Sequence, residues 1–249
     1  MRSLTLLIAL SFCGGLQAQV AVLNGASFRT DQPVTSGSWA TAFGTFTGVT
    51  LATATEYPLP KLLGGVSVTV GGLEAPVYYV SATQVNFLVP YQTAPGQQEI
   101  QVRTTTGPVT GTFRVISAAP GIFVKDVSGA QPPKGAILNQ DGTENTQASP
   151  VQRGQAISIY ATGPGVLRTS VGDGTKAPRD PLVWTVSTPD VYIGGIPATV
   201  QYSGLAPDFA GLWQINAIVP SESFVTGKVP VQLFMDGVDS NEVTIFVAQ

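Results

Sequence analysis

One unusual phrase occurs twice in this chain. Thr83-Gln84-Val85-Asn86-Phe87-Leu88-Val89-Pro90 returns as Trp213-Gln214-Ile215-Asn216-Ala217-Ile218-Val219-Pro220. Each copy reads Gln, a branched aliphatic, Asn, two residues, then Val-Pro. A motif this specific, repeated once, requires two copies of one module. The surroundings repeat in the same order. Ala136-Ile137-Leu138-Asn139 answers Ala21-Val22-Leu23-Asn24, and Pro150 to Gly154 answers Pro33 to Gly37. Val191-Tyr192-Ile193-Gly194-Gly195-Ile196 answers Val68-Thr69-Val70-Gly71-Gly72-Leu73, and Tyr202 answers Tyr79. The offset is 115 from Asn24 to Asn139 and 130 from Asn86 to Asn216. The second copy therefore carries insertions, expected as loops at Val166 to Pro181 and Gly204 to Phe209. The boundary is expected near Ala118-Ala119-Pro120-Gly121, read as a small-residue hinge. Cutting there should leave two halves that fold independently.

Each copy is written in short β-strands. Val66-Ser67-Val68-Thr69-Val70 has the period of two that marks a half-buried strand, and Gly71-Gly72 supplies a tight turn. Gly (28) and Pro (19) are plentiful, and no helical period of ten or more residues interrupts the pattern. The expected fold is all-β: two tandem immunoglobulin-like β-sandwich domains, 19–117 and 118–249, behind an N-terminal signal peptide.

The signal peptide is read from Met1-Arg2, the apolar run Leu4 to Phe12, and the break at Gly14-Gly15. Cleavage is expected near Ala18, ahead of Gln19. A second reading makes Cys13 a lipidated cysteine, although Phe12 is bulky for the position before it. A third takes the segment as a structural strand. Cleavage at residue 18 removes Cys13, the single cysteine, together with Arg2. Eleven basic and 15 acidic residues then remain, a net charge of −4 with no disulfide. The expected location is outside the cytoplasm: extracellular, periplasmic or at the cell surface.

Composition excludes several functions. Charged residues are 11% of the chain and no basic cluster occurs, so nucleic-acid binding is not expected. Past the leader, no run of 18 apolar residues exists to span a membrane. Histidine is absent, which removes Ser-His-Asp chemistry and histidine metal sites. The acidic residues Asp173, Asp180, Asp190 and Asp208 lie among Gly, Pro and Thr, as solvated turn residues do. No catalytic residue and no cofactor is expected.

Three groups remain as candidates. Along a strand Gln84 and Asn86 share one face, as do Gln214 and Asn216. Their amides either bond the backbone of a neighbouring loop, fixing the strand, or line a ligand groove; the structural role is the preferred one. The loop around Gly142 offers Asp141, Thr143, Glu144 and Asn145 as oxygen ligands for calcium, against the plainer reading of an Asp-Gly turn. Trp39, Trp184 and Trp213, with Tyr57 and Tyr91, are candidate contacts for a glycan. The alternation of Trp184 with Leu182 and Val186 points instead to core packing.

The assembled motifs resemble a known family. They are Gly64 to Gly72, Ala75-Pro76-Val77-Tyr78-Tyr79-Val80-Ser81, Thr83 to Pro90, and Ala118-Ala119-Pro120-Gly121-Ile122-Phe123. In the second copy they are Asn139 to Thr143, Tyr160-Ala161-Thr162-Gly163, Gly204-Leu205-Ala206-Pro207, and Gly211 to Asn216. Together they are similar to the exported C-terminal domain family of Solibacter-type acidobacteria, and each half resembles the IPT/TIG branch of immunoglobulin-like domains. The resemblance implies no catalytic residues. The expected function is a secreted, non-enzymatic structural, adhesive or protein-interaction module that contacts an extracellular protein or cell-surface polymer. The alternative is a carbohydrate-binding module.

Overall fold

A computed structural model of the chain describes residues 19–125 and 131–249. The expected signal peptide, 1–18, lies outside them. The first half contains β1 (Ala21–Asn24), β2 (Val34–Thr35), β3 (Trp39–Phe43), β4 (Ala52–Thr53), β5 (Leu62–Leu63), β6 (Val66–Val70), β7 (Leu73–Ala75), β8 (Val77–Val80), β9 (Gln84–Leu88), β10 (Gly96–Thr104) and β11 (Gly107–Ile116). The second contains β12 (Gly121–Ile122), β13 (Ile137–Asn139), β14 (Ala156–Thr162), β15 (Asp190–Ile193), β16 (Ile196–Ala198), β17 (Val200–Leu205), β18 (Trp213–Ile218), β19 (Gly227–Met235), β20 (Val238–Asp239) and β21 (Val243–Val247). The protein is all-β, a tandem of immunoglobulin-like β-sandwiches.

The two copies share one topology. In the first, a sheet ordered β1-β3-β9-β8-β4 faces one ordered β2-β11-β10-β6-β5, with β7 also on β6. In the second, β14-β18-β17 repeats β3-β9-β8, and β21, β19, β15 and β16 repeat β11, β10, β6 and β7. The register repeats as well: Thr41 pairs with Asn86, and Ser158 pairs with Asn216. Trp39, two residues before Thr41, therefore corresponds to Ala156.

Alternation decides which side chains fill each core. Val66, Val68 and Val70 are fully buried while Ser67 and Thr69 are not, and Val85 and Phe87 meet them from the facing sheet. In the second copy Ile157, Ile159, Trp213, Ile215, Leu233 and Ile245 do the same. With apolar burial worth about 25 cal/mol per Å², these two clusters are the main favourable term in folding. The hairpin turns Gly71-Gly72 and Gly194-Gly195 have φ of 55° and 83°, and 61° and 80°. Paired positive φ twists the strands as the sheet does, and glycine accepts it without strain.

The junction differs from the expected hinge. Ala118 and Ala119 are both fully buried, with Ala118 in the second core. These residues are small because the chain passes between packed layers. Gly163, at φ 83°, lies so close that a Cβ there would overlap the Ala119 carbonyl oxygen. The expected loop at Gly204 to Phe209 also shifts: Gly204 and Leu205 belong to β17, where they pair with Gln214 and Trp213.

Candidate functional site

The repeated amides bond each other and not a neighbouring loop. Gln84 Nε2 donates to Asn86 Oδ1 at 2.8 Å, and Gln214 Nε2 donates to Asn216 Oδ1 at 2.9 Å. Side chains two apart on a strand share a face, so a long amide reaches the shorter one directly. In the second copy Ser158 Oγ adds a bond to Asn216 Oδ1 at 3.0 Å. In the first copy Thr41 occupies the equivalent place, and its hydroxyl has no hydrogen-bond partner among the described residues.

Around Asn86 the first copy builds what the second does not. Both copies carry a β-bulge here, with Tyr78 the extra residue in the first and Gln201 in the second, but only the first puts an outward-facing ring on it. Tyr78 meets Trp39 edge-on, with centroids 5.5 Å apart and planes at 75°. Phe123, from the second half, closes the third side. The result is a cleft of about 150 Å³, lined by Trp39, Tyr78, Phe123, Asn86, Thr41 and Gly25. The second copy replaces Trp39 by Ala156 and Tyr78 by Gln201.

Trp39 is held by the other half. Its backbone N–H donates to Thr162 Oγ1 at 2.7 Å, and its indole Nε1 donates to the Ala210 carbonyl at 3.2 Å. Around it Leu59, Leu88 and Ala210 form a small apolar cluster joining the sandwiches. The insertion Val166 to Pro181 reinforces this contact. Asp173 Oδ1 accepts from the Tyr91 N–H at 2.9 Å, and the Gly174 carbonyl accepts from Leu59 N–H at 2.9 Å. Asp173 is thus a fastening between the halves, not a free turn residue. Burial, and secondarily the Asp173 charge, pushes the Tyr91 phenol well above its ordinary range. Beside it, Lys176 Nζ stands 4.6 Å from the centroid of Tyr57.

On the far side of the junction Asn24 Nδ2 donates to the Ala119 carbonyl at 2.9 Å, and Gln32 Nε2 to that of Pro120 at 2.7 Å. Arg29 Nη1 reaches Asp239 Oδ2 at 2.9 Å. Nothing in the sequence pointed to Tyr78, Thr41, Phe123 or Asp173 as partners: Phe123 and Asp173 meet theirs through the docking of one copy on the other, and Tyr78 and Thr41 meet theirs through the pairing of strands distant in sequence. The bulge at Tyr78 also breaks the period of two.

The other tryptophans separate cleanly. Trp213 is fully buried, and its Nε1 donates to Ser203 Oγ at 3.0 Å. Trp184 corrects the expectation of core packing. The ribbon Val183 to Thr185 extends its sheet beyond β17 through Trp184–Gly204 pairing, and Leu167 pairs with Thr185 outside it. Val183 and Thr185 point inward, leaving Leu182 (39%), Trp184 (37%) and Val186 (54%) exposed in a row. Trp184 leans edge-on against Tyr202 at 4.7 Å, with the Arg168 guanidinium 5.9 Å from its centroid.

The four calcium candidates are engaged in bonds within the protein. Asp141 Oδ1 accepts from Thr143 N–H and Oγ1 at 3.0 and 2.6 Å, forming a turn around Gly142. Glu144 pairs with Lys134, and with Lys125 at 3.8 Å. Asn145 is buried, donating to Asn139 Oδ1 and to the Phe246 carbonyl at 2.9 Å each. Asp141 and Thr143 bond each other, while Glu144 and Asn145 turn to other partners. Among the described residues no cluster of three acidic, cysteine or histidine side chains is placed to hold a metal.

No protein-family model matches the chain, nor does any curated protein sequence. Among solved structures it is similar to the Bacteroides ovatus mixed-linkage glucan utilization locus protein SGBP-B in complex with a mixed-linkage heptasaccharide, at 13% identity and TM-score 0.34, over 87% of this chain and 42% of that one. It is also similar to the titin Ig tandem A164-A165, at 10% identity and TM-score 0.24, over 93% and 96%. A third is the S-layer protein SbsC, domains 5-6, at 16% identity and TM-score 0.26, over 94% and 98%. The chain spans 42% of the first of these and 17% of the plexin A4 extracellular region. At these scores none of them bears on activity.

Proposed function

We propose that the chain is a non-catalytic interaction module of exported proteins, a fastened pair of sandwiches that presents an apolar contact face to another protein. The observation that carries this reading is the row Leu182, Trp184 and Val186. Three large apolar side chains are kept in water by a ribbon whose alternate residues are buried; the ribbon lies on β17 where the first copy places β4, the two small residues Ala52–Thr53, on β8. Rows of this kind on an ordered surface mark contacts with other proteins. The fastened junction supports the same reading, because a face held on a rigid body loses little freedom on binding. The Solibacter-type exported domain family remains the proposed relationship.

The test is retention of the purified mature chain on cell envelopes of its source, compared with Trp184→Asp. Envelope binding that falls at least about tenfold in the variant, with an unchanged melting midpoint, is the expected result. Equal retention of the two proteins overturns the assignment of the face.

A further inference from the structure

The geometry points to a second, separate site: we propose that the junction cleft is a carbohydrate subsite for one neutral pyranose ring. This goes beyond the protein-contact reading and does not depend on it. The size comes first. A volume of about 150 Å³ is half the lower bound of about 300 Å³ for pockets that enclose drug-sized ligands. It holds a single ring or the end of a chain.

The walls then select the chemistry. Trp39 and Tyr78, at 75° to one another, make a corner of two aromatic surfaces, and Phe123 closes it. Such surfaces receive the C–H face of a ring. The remaining wall is polar and uncharged. Asn86 Oδ1 is occupied by Gln84, so its Nδ2 keeps two donors without a partner among the described residues. The Thr41 hydroxyl, on the neighbouring strand and lining the cleft, is likewise unpartnered. Among the described residues no acidic or basic side chain lines the cleft, so a charged ligand would lose its water without compensation from them. A ligand with an apolar ring face and neutral hydroxyls matches both walls, and that is a neutral sugar.

The second copy serves as an internal control. It keeps the Gln-x-Asn pair but replaces both cleft aromatics, and Ser158 already occupies Asn216 Oδ1. The shared motif is thus scaffold in both copies. In the first, the rings of Trp39 and of Tyr78, the latter on a bulge that both copies share, convert it into a lined cleft. Trp39 is positioned for this by its bonds to Thr162 and Ala210, so the site exists only while the two sandwiches are docked.

The experiment is isothermal titration of the mature chain with neutral monosaccharides (glucose, galactose, mannose, xylose) and their short oligomers. Binding is followed in parallel by the Asn86 side-chain amide resonances. Saturable binding of at least one sugar that shifts those resonances is expected. Tyr78→Ala, at an exposed ring, and Asn86→Ala should each weaken it about tenfold or more, with Asn216→Ala unchanged. Tyr78→Ala keeps the test decisive should Asn86→Ala lower stability. No saturation by any sugar overturns the proposal, as does undiminished binding by Tyr78→Ala at an unchanged melting midpoint. An apolar side chain as the true occupant would show as insensitivity to Asn86→Ala, which also overturns it. Since Trp184→Asp leaves the cleft untouched, loss of the contact face and loss of the sugar site are read separately.

Discussion

The side-chain amide of Asn24 donates to the Ala119 carbonyl across 95 residues of sequence, while its Oδ1 accepts from the backbone N–H groups of Ala26 and Ser27 at 3.0 and 3.2 Å. One buried residue closes its own turn and fastens the chain at the crossing between the sandwiches. Its counterpart Asn139 bonds only nearby groups: its Nδ2 donates to Thr143 and Ser149, and its Oδ1 accepts from Asn145.

Asn24→Ala should therefore cost about 2–3 kcal/mol, since it strands a buried carbonyl and two N–H groups. Urea unfolding followed by tryptophan fluorescence measures this. A cost under about 0.5 kcal/mol, the range of ordinary surface substitutions, would remove Asn24 from the junction.

The two second-half tryptophans should behave oppositely. Trp213→Ala empties the centre of a core and is expected to cost about 3–5 kcal/mol. Trp184→Ala, at a half-exposed ring, should cost less than about 1 kcal/mol. Paired denaturation curves decide it. Equal costs would mean that the ribbon is packed as core.

Glycines at the junction and in the hairpins should separate in the same way. Gly163→Ala places a Cβ against the Ala119 carbonyl at a left-handed φ, and is expected to cost more than about 2 kcal/mol. Gly195→Asn, at a turn with open space around it, should change the melting midpoint little.

Excess calcium should leave the melting midpoint unshifted, because Asp141 and Glu144 are committed elsewhere. A rise of several degrees would show that the loop rearranges around a cation. The same residues set an acid limb. Lys134, by hydrogen bond and charge, holds the Glu144 carboxyl below its ordinary 4.5, and Thr143 holds Asp141 below 3.8. A carboxylate depressed in the folded state stabilises it fully above its unfolded value and loses that effect as pH falls through the lower, folded one. Melting midpoints should thus decline below about pH 4.5, with Glu144→Gln declining less.

Much of this architecture was legible because strands record their faces. The alternation of Val66 to Val70, the Gly-Gly turns and the doubled motif gave the sandwiches and their register directly. What escaped was whatever depends on one copy meeting the other. Ala118-Ala119 reads as a flexible linker whether small residues serve motion or close packing, and only the approach of Gly163 distinguishes the two. Leu182, Trp184 and Val186 show the alternation of a half-buried strand, but a period of two does not say which face is wet. The amides of Gln84 and Asn86 were correctly placed on one face, yet the open cleft beside them needed a bulge at Tyr78 and a ring from Phe123.

The late position of the fastening segment has a consequence for how the chain is made. The first sandwich is complete once Ile116 has left the ribosome, but Trp39, Leu59 and Leu88 stay uncovered until residues 162–211 follow. At the usual synthesis rate of about 5–20 residues per second, the 95 residues from 117 to 211 take roughly 5–20 s. For that interval the newborn N-terminal half shows water a greasy end that the finished protein hides. It is during this delay, more than after completion, that the protein is most exposed to self-association and to capture by a holding chaperone.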